Sequence, residues 1–173
     1  LQTCRRAYTV TDKETGAELD IDNEYIMSPK DLKTIHFLNK ILDAGVSVLK
    51  IEGRARSAEY VKTVVQCYRE AVDAYFNESF TDEKVENWNE RLASVFNRGF
   101  WDGYYLGQRL GEWSHNYGSR ATKRKLYIGK VTNYFKKIGV AEFKLETNNL
   151  KVGEEIIVTG PTTLAAILNS LQM

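Results

Sequence analysis

The sequence predicts an α+β chain in which strand–helix units of parallel-sheet type precede a small set of antiparallel strands. Residues 46–51 form a short, β-branched apolar run of the kind that is buried on both faces in a parallel sheet, and a helix-periodic segment follows it. From Lys125 onward, apolar residues recur at every second position, which is typical of strands. We therefore predict three parts: residues 1–96, an aromatic and basic linker over 97–124, and residues 125–173.

The first elements are predicted to be short. Residues 6–10 and 17–21 flank a turn-rich segment and predict two strands in a hairpin-like excursion, and residues 25–27 predict another strand. Ser28, with Pro29 at the first helical position, predicts the start of a helix that ends at Gly45, a typical C-cap. Residues 25–51 thus predict a strand–helix–strand unit of a parallel sheet.

Two longer helices follow. Ser57 is a good N-cap with Glu59 in the first turn, and the helix that it begins is predicted to end near Asn77. Thr81 predicts the start of a second helix that runs to about Phe96. Acidic and basic residues alternate on both helices, as on an ordinary solvated face.

The turn between the predicted strand and the first of these helices is the candidate site. Lys50, Arg54 and Arg56 surround a helix N-terminus, where backbone N–H groups and partial positive charge favour a carboxylate or phosphate. Glu52 adds a carboxylate that can pair with an arginine or transfer protons. The alternative is that Glu52 and Arg54 form a purely structural ion pair.

The sequence contains TCRRAY followed by EYIMSPKDL, then LKIEGRARSAEYVKTVVQCYREAVD, and then FNRGFWDGYYLG. Together these stretches resemble the collagenase-like peptidase family U32, from about Cys4 to about Thr163. The resemblance implies a C-terminal piece of a longer protein: the last strand–helix elements of a TIM-barrel-like domain, a helical linker and an incomplete small antiparallel β-barrel. Residues 164–173 depart from the family and predict a short amphipathic helix.

The resemblance implies two competing activities for the intact parent. Some relatives hydroxylate RNA or a quinone without molecular oxygen, and we expect a prephenate-dependent tRNA wobble-uridine hydroxylase that forms 5-hydroxyuridine. Glu52 and Arg54 would then be catalytic, and prephenate would be bound by Lys50, Arg56 and Ser57. The alternative is peptide cleavage, as the family is traditionally labelled. In a third reading this piece catalyses nothing and serves as a module that docks RNA or another partner.

The cofactor expectation also comes from the resemblance. Cys4, followed by Arg5, resembles one ligand of an iron–sulfur cluster, which needs about four thiolates. We expect such a cluster in the intact parent only, because the other ligands would come mostly from the N-terminal part of the parent. Some relatives have a cysteine where this sequence has Lys33, and that departure argues against a conventional cluster. Cys67 is predicted to be a packing residue. His115 has no partner at a metal-ligand spacing, so no metal site is predicted.

The linker suggests contact with RNA. Its aromatic residues can stack on bases, and Arg120, Lys123 and Arg124 can contact phosphates. The alternative is that the aromatic residues attach the linker to the barrel and the basic residues are merely solvated. The balance of 24 Lys and Arg against 23 Asp and Glu demands no nucleic acid and excludes none. The absence of a membrane-spanning run or secretory pattern, together with only two cysteines, predicts a cytoplasmic setting.

Overall fold

The computed structural model describes residues 6–21, 27–115, 118–160 and 166–168. The chain divides into two compact units, residues 1–122 and residues 123–173. The finer division of the chain at residues 97 and 125 stays a prediction.

The first unit begins with an antiparallel hairpin of β1 (Tyr8–Thr11) and β2 (Glu18–Ile21). In its turn, the side chain of Asp12 accepts a hydrogen bond of 2.7 Å from the backbone N–H of Thr15. This local bond fixes the turn, and the hairpin-like excursion predicted from sequence is confirmed.

A short parallel pair follows, formed by β3 (Asp31–Leu32) and β4 (Phe100–Trp101). Between them in sequence, a 3₁₀ turn at Ile35–Phe37 leads into α1 (Leu38–Asp43). Gly45 follows α1 with φ of +85°, a conformation that glycine adopts without steric cost, so the predicted helix end is confirmed.

The predicted helix start at Ser28 and Pro29 is wrong. Pro29 forms an antiparallel bridge with Trp113, and Asp31 donates its backbone N–H to Gly99. These backbone groups pair with segments 84 and 68 residues further along the chain, and such distant pairing overrides the local capping signal.

The predicted strand over residues 46–51 is also wrong. Residues 46–53 have no regular secondary structure, and Val48 is 80% exposed. A strand of parallel type needs hydrogen-bonded neighbours, and no described segment pairs with residues 46–51. The strand predicted over residues 25–27 falls mostly on residues 25 and 26, which lie outside the described residues.

Two capped helices complete the first unit, α2 (Ala58–Phe76) and α3 (Asp82–Ser94). The side chain of Ser57 accepts from the backbone N–H of Tyr60 at 3.4 Å, and Thr81 accepts from Lys84 at the same distance. Both predicted N-caps are confirmed.

The core of the first unit lies where α1, α2 and α3 meet. Small residues on α2 allow α3 to approach closely, and the indole N–H of Trp88 donates to Glu70 at 2.9 Å. The buried side chains of this core are Ile35, Leu38, Val64, Cys67, Ala71, Ala74, Val85, Trp88 and Leu92.

The second unit contains two antiparallel hairpins. β5 (Gly129–Phe135) pairs with β6 (Val140–Leu145), and β7 (Ile156–Val158) pairs with β8 (Ala166–Leu168). Three of these strands, β5, β6 and β7, lie in the region after Lys125 where the alternating pattern predicts strands.

The helix predicted over residues 164–173 is wrong at residues 166–168, the part of it that the structure describes. This segment forms β8 because the apolar strand β7 provides a partner ladder. Each described sheet has two strands, and none of them closes into a barrel. The TIM-barrel-like domain and the small antiparallel β-barrel therefore stay predictions.

Candidate functional site

The candidate site is centred on the α2 loop, which we define as residues 50–57. Its backbone turns sharply: Arg56 donates its N–H to Gly53 at 3.1 Å, and Ala55 has φ of +57°, in the left-handed region. A residue with a Cβ is strained in that conformation. The loop is thus held in a shape that its own sequence does not favour.

Glu52 stabilises this turn from within. Its Oε1 atom accepts a hydrogen bond of 2.6 Å from the backbone N–H of Arg54. The contact joins a side chain to the backbone, and it does not engage the guanidinium group of Arg54. The predicted structural ion pair between Glu52 and Arg54 is therefore replaced by a contact that fixes the position of Arg54 in the loop.

Lys50 and Arg54 are the cations that the α2 loop exposes to solvent. They precede the N-terminus of α2, where the first-turn N–H groups have no carbonyl partner within the helix. Two exposed cations in the loop that leads into the positive end of a 19-residue helix favour binding of an anion.

Arg56 has a different role. Its Nη2 atom lies 3.1 Å from Oδ1 of Asp31, and its guanidinium carbon lies 4.2 Å from the ring centre of Phe96 and 5.3 Å from that of Tyr60. The side chain is only 15% exposed. Burial raises the pKa of the Tyr60 hydroxyl, and the nearby Arg56 charge opposes that rise. Arg56 is thus an anchor that ties the α2 loop to β3.

Asp31 is a site residue that sequence reasoning missed. One carboxylate oxygen pairs with Arg56, and the other accepts the backbone N–H of Arg98 at 2.9 Å. Asp31 therefore joins the α2 loop, β3 and the segment before β4. No local pattern identifies it, because its partners lie 25 and 67 residues away in sequence.

A second polar group, the strand-end cluster, consists of Lys33, His36 and Asp102. Lys33 and Asp102 follow the carboxyl ends of the parallel strands β3 and β4, the place where ligands gather in sheets of this type. Nε2 of His36 lies 3.1 Å from Oδ1 of Asp102. Nζ of Lys33 donates to Asn89 at 2.8 Å and lies 4.8 Å from the ring centre of Phe100.

Burial sets the electrostatics of this cluster. It lowers the pKa of Lys33, and the negative charge of Asp102 opposes that shift. Nδ1 of His36 is buried and has no hydrogen-bond partner among the described residues. The cluster escaped sequence analysis because two-residue strands leave no periodic signal. Lys33 directly follows β3, the strand that carries Asp31, the partner of Arg56.

The described residues provide little support for cysteine or metal chemistry. No three His, Cys, Asp or Glu side chains within ranges 6–21, 27–115, 118–160 and 166–168 are placed to hold a metal ion. Cys67 is buried in the helical core, and burial raises the pKa of its thiol to about 11, so it does not fit the thiolate ligand of a cluster. Cys4, the predicted ligand, lies outside the described residues.

The predicted RNA-contacting residues are divided between the two units. Arg120 belongs to the first unit, where its guanidinium lies against Gly99. Lys123 and Arg124 begin the second unit, and Nζ of Lys123 lies 2.6 Å from Oε2 of Glu155. Arg124 is exposed. No described helix is long and apolar enough to cross a lipid bilayer.

Fold and site together define an α+β protein with a candidate anion-binding loop at the start of its longest described helix. Residues 1–115 match the family model of Peptidase family U32. The chain belongs to that family.

Relatives that carry different names are similar to this chain. The chain is 65% identical over 162 residues to a collagenase from Porphyromonas gingivalis, an alignment that covers 94% of this chain and 39% of the relative. It is 35% identical over 167 residues to a tRNA hydroxylation protein from Bacillus subtilis, with coverage of 92% and 39%. An uncharacterized protease from Methanocaldococcus jannaschii is 34% identical over 180 residues, with coverage of 100% and 44%.

The chain thus spans 39% to 44% of the length of these three relatives. No solved structure matches it.

Proposed function

We propose that the intact protein is a prephenate-dependent hydroxylase of the tRNA wobble uridine, with 5-hydroxyuridine as its product. The observation that carries this proposal is the pair of exposed cations, Lys50 and Arg54, in the loop that leads into the capped N-terminus of α2. Prephenate is a dicarboxylate, and such a loop provides the charge and the N–H donors that a carboxylate needs. Relatives named as tRNA hydroxylation proteins support this choice.

Each residue of the α2 loop then has a defined task. Arg54 binds a carboxylate of prephenate, because a guanidinium presents parallel donors to two carboxylate oxygens, and Lys50 supplies a second charge. Glu52 holds the backbone of Arg54 in place through its 2.6 Å bond. Arg56, paired with Asp31, acts as a positioning residue, and Ser57 caps the helix whose N-terminus faces the substrate.

The strand-end cluster supplies groups for proton transfer. A histidine paired with a carboxylate is the commonest general acid or base. We assign that role to His36 with Asp102, which lie on the two segments that leave β3 and β4. Lys33 adds a third titratable group beside them.

RNA recognition and the cofactor complete the proposal. We retain Arg120, Lys123 and Arg124 as residues that contact tRNA phosphates, and a tRNA substrate implies a cytoplasmic location. An iron–sulfur cluster, with Cys4 as one ligand, belongs to the proposal for the intact parent only.

The second candidate function is cleavage of collagen-like peptides. It is favoured by the 65% identity to a relative named collagenase, which exceeds the identity to the tRNA hydroxylation protein. In that case the α2 loop would bind a carboxylate of the peptide, such as its C-terminus or an acidic side chain.

Nucleoside mass spectrometry of total tRNA separates the two functions. The full-length gene is deleted from the source cell and then restored, and purified full-length protein is incubated with denatured collagen in parallel. We expect 5-hydroxyuridine-type nucleosides to disappear on deletion and return on restoration, with collagen left intact. An unchanged nucleoside profile combined with collagen cleavage would overturn the hydroxylase proposal and establish the second candidate.

A further inference from the structure

The charge of the chain is unevenly distributed between its two units. Residues 123–173 contain eight Lys and Arg against four Asp and Glu, whereas residues 1–122 contain sixteen against nineteen. The small second unit is therefore basic and the larger first unit acidic, although the whole chain is nearly neutral. A local excess of positive charge is the electrostatic footprint of a polyanion partner.

Two of the positive charges of the second unit lie opposite each other on the β5–β6 hairpin. Lys130 and Lys144 are register partners, directly opposite each other in the antiparallel ladder. Like charges in that arrangement destabilise a hairpin. Both lysines are exposed, and neither ammonium has a hydrogen bond or ion pair with a described residue. Glu142, two positions before Lys144 on the same strand, is the acidic residue on this face.

The same face carries an exposed aromatic ring. Because paired residues share a face, the register places Phe135 on the face of Lys130 and Lys144, and Phe135 is 45% exposed. We call this surface the basic face of the hairpin, and its residues are Lys130, Asn133, Phe135, Val140, Glu142 and Lys144. Lys136 and Lys137 follow in the exposed turn.

The spacing of these groups suits a nucleic-acid strand. On β6, Lys144 lies four positions after Val140, the partner of Phe135, which corresponds to about 13 Å along the strand. That length accommodates roughly two nucleotides. Cations that follow the backbone, with an aromatic ring on which a base stacks, form the usual platform for single-stranded nucleic acid.

We infer that the basic face of the β5–β6 hairpin binds RNA, with Lys130 and Lys144 on phosphates and Phe135 stacked on a base. Bound phosphate relieves the repulsion between the two lysines, which explains why the chain tolerates this pair. An acidic protein segment would satisfy the lysines but would leave the exposed ring without a stacking partner. The inference depends on the proposed hydroxylase only for the choice of tRNA as the probe.

The test measures binding of a fluorescein-labelled tRNA transcript to the purified full-length protein by anisotropy, over a range of salt concentrations. The variant Lys130→Gln/Lys144→Gln is compared with Lys40→Gln/Lys62→Gln, which removes two exposed charges from helices of the first unit. Loss of two phosphate contacts should weaken binding at least tenfold and lower the slope of log K against log salt by about 1.5. The control should match the wild type.

Stability provides an independent readout. Removing the like-charge pair should leave the melting temperature of the protein equal or higher, so a loss of RNA binding cannot be attributed to unfolding. Lys130→Arg/Lys144→Arg keeps the charges and should keep the affinity. Unchanged RNA binding in the glutamine variant, or no RNA binding by the wild type, overturns the inference. Competition by polyglutamate as strong as that by RNA assigns the face to an acidic protein and also overturns it.

Because RNA binding is measured without any reaction, its failure is distinct from failure of the hydroxylase proposal. A protein that binds RNA through this face and leaves tRNA nucleosides unchanged would retain the inference and lose the proposed activity.

Discussion

At the scale of single residues, Arg56 shows what charge patterning predicts and what it misses. Its position beside Arg54, before a helix, correctly marked it as part of a cationic loop. Its partner Asp31 lies 25 residues earlier, in a segment whose local signals favour a helix. The pairing depends on the parallel contact of β3 with β4, a tertiary feature that no local pattern contains.

Arg56→Ala should destabilise the first unit by about 2 kcal/mol, because it leaves the carboxylate of Asp31 without its charged partner. The check is urea unfolding followed by tryptophan fluorescence. Arg69→Ala is the matched control, since Arg69 pairs with Asp73 on an exposed helix face and should matter little. Equal effects of the two substitutions would contradict the anchoring role of Arg56.

The ion pair between Glu70 and Arg91 predicts a pH dependence. The Arg91 hydrogen bond, 2.9 Å from Nη2 to Oε1, is the main cause that lowers the pKa of Glu70, and the Trp88 N–H adds to it. A lowered folded-state pKa gives stability that is complete above the ordinary pKa of 4.5 and lost as the pH falls through the folded value.

Glu70→Gln should therefore reduce stability at pH 7 and flatten its further loss below pH 4.5. Urea midpoints measured from pH 7 down to pH 3 provide the check. A variant that loses stability below pH 4.5 as steeply as the wild type would show that another carboxylate is responsible.

At the scale of elements, local signals identified the starts of α2 and α3, the end of α1 and the β1–β2 hairpin. They failed for the start of α1, for the parallel pair and for β8. The N-caps Ser57 and Thr81 and the C-terminal Gly45 act through bonds or backbone angles within a few residues, so the sequence predicts them directly. The apolar run at 46–51 predicted a buried strand, but a parallel strand exists only with partner strands. Among the described residues it has none, and Val48 is exposed.

Gly129 is a position where the β5–β6 hairpin requires the smallest side chain. A Cβ added there would overlap the backbone oxygen of Lys144, which cannot move without breaking the ladder. Gly129→Ala should therefore destabilise the second unit by at least about 1 kcal/mol.

Hydrogen exchange of the β5 and β6 amides provides the measurement, with faster exchange expected in the variant. Gly160→Ala is the control, since nothing lies within 4 Å of a Cβ built at that position. Amide exchange that is unaffected by Gly129→Ala would show that β5 and β6 accommodate the added Cβ without loss of stability.

At the scale of the whole molecule, family membership was predictable and the candidate site only partly so. The four quoted stretches carry the resemblance to peptidase family U32, and the family match over residues 1–115 confirms it. The α2 loop was found because its charges are adjacent in sequence. Asp31, His36 and Asp102 were missed because folding brings them to the ends of β3 and β4 from distant positions. The activity stays a proposal, since relatives in the same family are named for collagen and for tRNA.

The most direct test of the central claim, that the α2 loop binds a carboxylate substrate, is calorimetric titration of prephenate into the full-length protein. We predict saturable binding that weakens at least tenfold in Arg54→Ala and is unchanged in Arg69→Ala, which removes a positive charge from within α2, away from its N-terminus. Absence of binding by the wild type, or equal affinity of the wild type and Arg54→Ala, would contradict the assignment of this loop as the substrate site.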